Sequence, residues 1–461
     1  MTPTPQALVE HALEVSKADH TAVIVSQSST ANLRWANNTL TTNGVMTDLT
    51  MTVIAVVDGS AGSSVGVLTR TTTTSAQVAA LVAEAETSAR AAGPADDAGP
   101  LVEGDEAADW WSEPGYTGID VFGDFSTALG EALGRARDQQ RLLYGYVEND
   151  VTTTYLGTST GVRRRHEQPT SHIGITGKPD DLSTSAWVGQ AAERIDEIDV
   201  VALDSELTRR IGWAERRVDL PAGRYDTVLP PTAVADLMIY AYFVASGQDA
   251  FDGRTVFSDP SGGTRVGQRV ASPGVRLRSD PTAPGLAAAP FVTARASSTA
   301  QSVFDNGLEV AKTDWISDGT LRHLGTSRHT ATATELAVTP LIDNLSLKVA
   351  SGDGSLQDLA RGVDRGLLLT CLWYIRQVDP QTLLLTGLTR DGVYLVEGGE
   401  VVGAVNNFRF NESPVDLLNR FSGAGETERT FSREWGDYFP RTAMPALRVP
   451  DFNMSSVSQA S

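Results

Sequence analysis

Six histidines, one cysteine and 57 carboxylates are the side chains from which this 461-residue chain could build a catalytic centre. The histidines are His11, His20, His166, His172, His323 and His329. A helical zinc site needs two imidazoles four or five residues apart, so that both leave one face, plus a carboxylate or thiolate from elsewhere. No pair has that spacing: His166/His172 and His323/His329 are each six apart. Such pairs share a strand face but lie too far apart along it to grip one ion unaided. The histidines therefore read as structural, and no metal site or other cofactor is expected.

The remaining candidates are equally plain. Cys371 lies in the apolar run Gly366–Ile375, which predicts a buried strand. A nucleophilic thiolate needs an electropositive, partly exposed setting and a nearby base, and neither is visible. No Gly-x-Ser-x-Gly elbow occurs, and Ser258–Gly263 and Ser351–Gly354 are turn material. No glycine pattern follows a strand and opens a helix as a phosphate cradle must. Arg163–Arg165, the single basic cluster, reads as a solvated edge. Asp314 and Asp318 could do acid–base work, but among 57 carboxylates such spacing is expected by coincidence. Taken alone, these residues describe an α+β protein with no visible active site.

The elements that would position such groups follow from periodicity. Residues Gln6–Ala18 predict an amphipathic helix. Strands follow at Ala22–Gln27, Asn32–Trp35, Met46–Val57 and Ser64–Thr69, with Asp58-Gly59 as a turn. Thr74 and Gln77 form a capping-box signal for a helix to about Ala92. Residues 93–109 are rich in Gly, Pro and acidic side chains and read as a linker. Beyond it, 110–216 reads as a central α+β unit. It has a helix near Phe125–Ala136, strands at Arg141–Glu148 and Thr152–Leu156, a turn at Ser159–Gly161, and helical patterning around Trp187–Asp196. From 217 onward, Pro231 opens a helix carrying Val234, Leu237, Met238, Ala241, Val244 and Ala245 at helical spacing, ended by Gly247. The rest is strands and Gly-rich turns, with short helices near Leu356–Val363 and Val415–Phe421. The fold class expected is α+β: N-terminal units of helices and antiparallel strands over 1–92 and 110–216, then a larger, mostly β unit over 217–461.

Composition narrows function by exclusion. With 57 acidic against 37 basic side chains the net charge is −20, which repels phosphate backbones and anionic bilayers, so neither nucleic acid nor membrane is expected as a partner. No stretch approaches the roughly 20 apolar residues of a membrane-spanning helix. The first residues lack a basic segment followed by an apolar one, and a single cysteine allows no internal disulfide. The expected location is the cytoplasm.

The order of local motifs nevertheless resembles a known family. Asn32–Asn38, Val53–Gly59 and Gly62–Gly66, then Val151–Gly161 and Leu220–Leu229, are similar to successive segments of the TldD/PmbA family of metallopeptidase-related proteins. Phe304–Gly307, Trp315–Leu324, Asp343–Leu345, Gly392–Val401 and Pro445–Phe452 resemble its third domain, collinearly over most of the chain.

The catalytic, TldD-like branch carries HExxxH on a helix early in that domain and a third ligand, typically Cys, far downstream. Here the corresponding helix, 231–246, presents Ala235-Asp-Leu-Met-Ile-Tyr240 and no histidine, so Asp236 and Tyr240 occupy the degenerate metal-motif positions. The downstream segment Thr386–Gly392 has no Cys or His, and no ligand role passes to Cys371. The resemblance therefore implies the PmbA (TldE)-like, non-catalytic branch: a subunit without metal or catalytic residues of its own. Its expected partner is a zinc-bearing TldD-like subunit in proteolysis of small or unfolded peptides, with self-association where that partner is missing. Two alternatives remain open: a self-sufficient hydrolase using His323 or His329 with carboxylates, and a homodimeric adaptor.

Overall fold

The computed structural model describes residues 3–71 and 74–458. Its N-terminal half is built on one six-stranded antiparallel sheet, ordered β3-β2-β1-β4-β5-β6. The strands are β1 (His20–Ala36), β2 (Thr39–Gly59), β3 (Gly62–Thr71), β4 (Arg141–Thr158), β5 (Arg163–Pro179) and β6 (Ala186–Ala192). Pairing of β1 with β4, from Ala22↔Thr158 to Trp35↔Gly145, joins the unit before residue 93 to the unit after residue 109 edge to edge. Residues 93–109 run beside this sheet, with the Ala95 N–H on the Ser63 carbonyl and the Arg163 N–H on the Asp105 carbonyl.

Which face is covered explains the sequence pattern. Val23, Val25, Met51, Val53 and Ala55 pack under helices α1 (Pro5–Val15) and α2 (Ser75–Ala91). Their neighbours Ala22, Ile24, Ile54 and Val56 meet Phe291, Val303 and Phe304 of the C-terminal half. Burial on both faces is why these strands read as continuous apolar runs. Close approach of α2 is possible because position 66 is glycine: a Cβ there would lie 2.0 Å from the Ala85 carbonyl oxygen. Further along, Leu143, Val147, Ile173 and Ile175 sit under α3 (Gly123–Asp138) and α4 (Val200–Trp213), leaving the opposite face of β4 and β5 free of helices.

Several expectations shift. The separate strands at 22–27 and 32–35 are one, β1, as are 141–148 and 152–156 in β4. Polar residues between the apolar stretches, such as Ser28, Ser29 and Thr152, stay in the ladder because backbone pairing continues through them. The turn joining β1 to β2 is Asn37-Asn38, both with positive φ (50° and 59°), as a two-residue primed turn requires. The pattern around 187–196 is not helical. Ala186–Ala192 is the edge strand β6, paired with β5, and the helix begins at Val200 with Asp199 as its cap. The apolar run was too short to separate the two periods.

The C-terminal half is a larger mixed sheet whose hub is the strand Thr442–Val457. It pairs with Leu345–Val349 in parallel and with Gly223–Leu229, Phe408–Glu412 and Gly423–Thr430 in antiparallel fashion. Helix α5 (Pro231–Phe243) packs against it inside the main hydrophobic core. Proline occupies its first turn, as expected. The two halves are pinned together by Arg429–Glu197 (2.8 Å), Arg295 to the Ser26 hydroxyl (2.7 Å) and Arg441 to the Thr170 hydroxyl (3.2 Å). Among the described residues no helix is long and apolar enough to cross a membrane.

Candidate functional site

Helix α5 is apolar nearly all round, not amphipathic: every residue from Ala233 to Ile239 is buried. Asp236 is therefore a carboxyl group inside a core, with no solvent-accessible surface. One of its oxygens, Oδ1, accepts the Glu434 N–H at 2.8 Å, and Oδ2 is buried with no hydrogen-bond partner among the described residues. Burial pushes this carboxyl well above the ordinary carboxylate range, against the pull of the Glu434 and Arg433 backbone N–H groups. Tyr240, one turn on, donates its hydroxyl to the Ile375 carbonyl and sets its ring edge-on against Trp435 at 5.0 Å. Burial raises its phenol as well.

Zinc would need deprotonated or neutral-imidazole donors converging on one point. Here one motif position is a carboxyl held toward its neutral form and the other a phenol already committed to a carbonyl. Among the described residues, no three His, Cys, Asp or Glu side chains gather as a metal would require. This donor set does not fit zinc. Cys371, buried at the joint between the strands Arg365–Leu369 and Leu372–Asp379, has its thiol pushed far up by desolvation. Residues 384–389, which run into the downstream segment searched for a third ligand, form a strand paired with 408–412. The backbone that reaches Asp236 belongs instead to Arg433 and Glu434.

That segment, 431–441, forms one wall of a groove between the halves. Glu434 fixes it by accepting the Tyr374 and Ile375 N–H groups (3.0 and 3.1 Å) and pairing with Arg376 (3.3 Å). Phe431 stacks on His172 (5.4 Å, 27°) and on Trp187 (6.3 Å, 30°). The facing wall is the uncovered side of β4 and β5, where alternate residues line up: Glu148 opposite His172, Asp150 opposite Thr170, Thr154 opposite His166. Three cavities follow one another along it. A chamber of about 700 Å³ beside Trp187 and Arg433 shares His172 and Asp437 with one of about 350 Å³ over Glu148 and Asp150. That in turn shares Phe291 and Asp343 with a third of about 250 Å³ near Tyr242.

Electrostatics in the groove follow from burial. His166 and His172 are both pushed below the usual imidazole range by desolvation. Glu148, Asp437 and Asp150 oppose that shift at His172 without cancelling it. The Tyr146 phenol is pushed up by burial and by its hydrogen bond to Glu148. Among the described residues, neither groove histidine has a carboxylate at hydrogen-bond distance: Asp437 lies 3.9 Å from His172, and His166 contacts Gln168 at 3.1 Å.

Most of the other sequence candidates have structural partners. His323 places Nδ1 2.9 Å from the Asp314 carbonyl oxygen, while His329 is exposed on the short helix Arg328–Thr334, and His11 and His20 are half-buried near α1. Asp314 pairs with Arg278 at 2.7 Å, and Asp318 accepts the Gly274 N–H at 2.7 Å. Arg163–Arg165 is not a solvated edge. Arg163 grips Glu10 of α1 through two bonds (2.6 and 2.8 Å), and Arg165 pairs with Glu167 and Asp109, with side-chain exposures of only 15% and 11%. The residues missed altogether are Trp187, Trp373, Phe431 and Arg433. The signal was present in Phe431–Phe439, where four aromatic residues in nine alternate with charges between two strands.

Comparisons with known proteins agree with this architecture. The signature of the PmbA/TldA metallopeptidase C-terminal domain matches residues 222–456. No curated protein matches the chain. Among solved structures, TldE from Thermococcus kodakarensis is similar with a TM-score of 0.78 at 16% identity, covering 97% of this chain and 98% of that one. A Bacteroides thetaiotaomicron protein described as a candidate modulator of DNA gyrase gives 0.76 at 14% identity over 98% of each chain. A Thermotoga maritima protein described in the same way gives 0.74 at 15%, over 94% of this chain and 95% of that one. At these identities the likeness establishes the fold, and the signature, which spans just over half of the chain, establishes the family: the chain belongs to the PmbA/TldD family of metallopeptidase-related proteins.

Proposed function

We propose that this chain is a non-catalytic, PmbA/TldE-like subunit that pairs with a zinc-bearing TldD-like subunit in the proteolysis of small or unfolded peptides. One observation carries the reading. The helix where the resemblance would place a zinc motif is largely buried, with Asp236 and Tyr240 at the positions the resemblance assigns to ligands and Asp236 bonded to the backbone of the 431–441 wall. The scaffold is retained while the donors are gone. What remains to this chain is to shape and line a peptide-sized groove and to keep bulk water out of part of it. An open polar sheet face beside aromatic side chains offers a peptide both hydrogen-bond partners and apolar contact.

The test is co-expression of the tagged chain with an HExxxH-bearing relative from the same source. A stable complex that cleaves unfolded peptides, with the activity residing in neither chain alone, is expected. Failure of the two chains to associate at micromolar concentration would remove the proposal.

A further inference from the structure

Among the described residues, one cation in the groove, Arg433, makes no ion pair. The Arg433 guanidinium lies 4.4 Å from the Trp373 ring centre and 5.1 Å from that of Trp187, clasped between the two indoles. Its Nε is buried without a hydrogen-bond partner, and among the described residues no carboxylate lies within ion-pair distance of it. The neighbouring acids are engaged elsewhere. Glu434 accepts two backbone N–H groups and pairs with Arg376, and Asp236, the fully buried neighbour, is pushed toward its neutral form.

Stacking on indoles fixes the plane of a guanidinium but uses none of its in-plane N–H donors. With Nε buried and unpaired, the terminal N–H groups of this half-buried guanidinium are what a ligand can reach, and the ligand they fit is a planar carboxylate taken through two parallel hydrogen bonds.

We propose that Arg433, clasped by Trp187 and Trp373, receives the C-terminal carboxylate of a peptide lying in the groove. The peptide as occupant rests on the function proposed above; the preference for a carboxylate does not. Charge along the groove favours this occupant over a phosphate-bearing one. Beyond Arg433 the lining is mainly acidic, with Glu148, Asp150, Asp343 and Asp437 against Arg441, which disfavours phosphates but suits the amino end or basic side chains of a peptide. The approach to Arg433 is aromatic, so an apolar residue next to the carboxylate fits best.

The test uses the full chain alone and one short peptide, acetyl-Ala-Ala-Phe-Ala, as free acid and as C-terminal amide. Calorimetry is paired with tryptophan fluorescence, since Trp187 and Trp373 flank the site. The acid is expected to bind about 10- to 100-fold more tightly than the amide. Arg433→Gln should reduce the acid to the level of the amide, and Arg433→Lys should restore part of the difference. Equal binding of acid and amide, a preference that survives R433Q, or no binding of either at millimolar concentration would overturn the proposal. If R433Q fails to fold, the acid–amide comparison on the unaltered chain still decides. A chain that discriminates acid from amide yet finds no HExxxH-bearing partner would sink the subunit reading and leave this one standing.

Discussion

Replacing Asp236 by Asn should stabilise the protein, and increasingly so as pH rises. The side chain is fully buried, one oxygen accepts the Glu434 N–H, and the other has no partner among the described residues. Its folded-state pKa is raised well above 3.8, whereas the unfolded chain releases that proton near the ordinary value. Between those two values the folded state binds more protons than the unfolded state, so stability falls as pH rises through that window. The loss is about 1.4 kcal/mol per pH unit, and no discount for solvent screening applies to a group with no exposure. Asn keeps the acceptor for Glu434 and cannot ionise. At about pH 4 the variant and parent should therefore agree to within about 1 kcal/mol. Above that, the variant should gain about 1.4 kcal/mol per unit until the folded-state pKa is passed. Urea denaturation of both proteins from about pH 4 to pH 8, followed by tryptophan fluorescence, measures the difference. A difference that is flat in pH, or an Asn variant that grows less stable as pH rises, would refute the assignment of Asp236 as a neutral core residue.

Other perturbations test the frame that holds the groove. Asp204 links Arg135 (3.0 Å) and Arg141 (3.1 Å), and Arg141 is only 5% exposed. Asp204→Ala should therefore cost about 3–5 kcal/mol in denaturant unfolding, with recovery in an Arg141→Met background. Gly66→Ala would set a methyl group 2.0 Å from the Ala85 carbonyl oxygen and 2.5 Å from the Ala89 nitrogen, so α2 must move. A loss of about 1–3 kcal/mol or more is expected in thermal or urea melts. The buried Tyr242 hydroxyl both accepts the Ile342 N–H (2.7 Å) and donates to the Ile342 carbonyl (2.9 Å). Tyr242→Phe should cost about 1–3 kcal/mol and speed amide exchange at Ile342.

Much of the fold was legible because local chemistry announced it. Pro231 at the head of α5, the acceptance of the Thr74 N–H by Gln77, and the short helices at 356 and 414 all depend on groups a few residues apart. What was not legible depends on partners far away in sequence. β1 looked like two strands because Ser28 and Ser29 are carried in the ladder by pairing with β2 on one side and with β4, more than a hundred residues on, on the other. Arg163–Arg165 looked solvated because Glu10 and Asp109, which neutralise it, lie in other elements. The same holds for the candidate site. The missing histidines of α5 are a local fact and could be read directly. Asp236 meeting the backbone of residues 433 and 434, nearly two hundred residues on, and Arg433 meeting Trp373 of its own half and Trp187 of the other, depend on tertiary packing that no local pattern announces.

Metal analysis of the purified chain, before and after co-purification with an HExxxH-bearing relative, tests the central claim most directly when paired with peptide cleavage. The expected result is no stoichiometric zinc and no cleavage by this chain alone, but about one zinc per heterodimer, with chelator-sensitive cleavage, in the complex. Stoichiometric zinc retained by this polypeptide on its own, together with chelator-sensitive peptide cleavage, would contradict it.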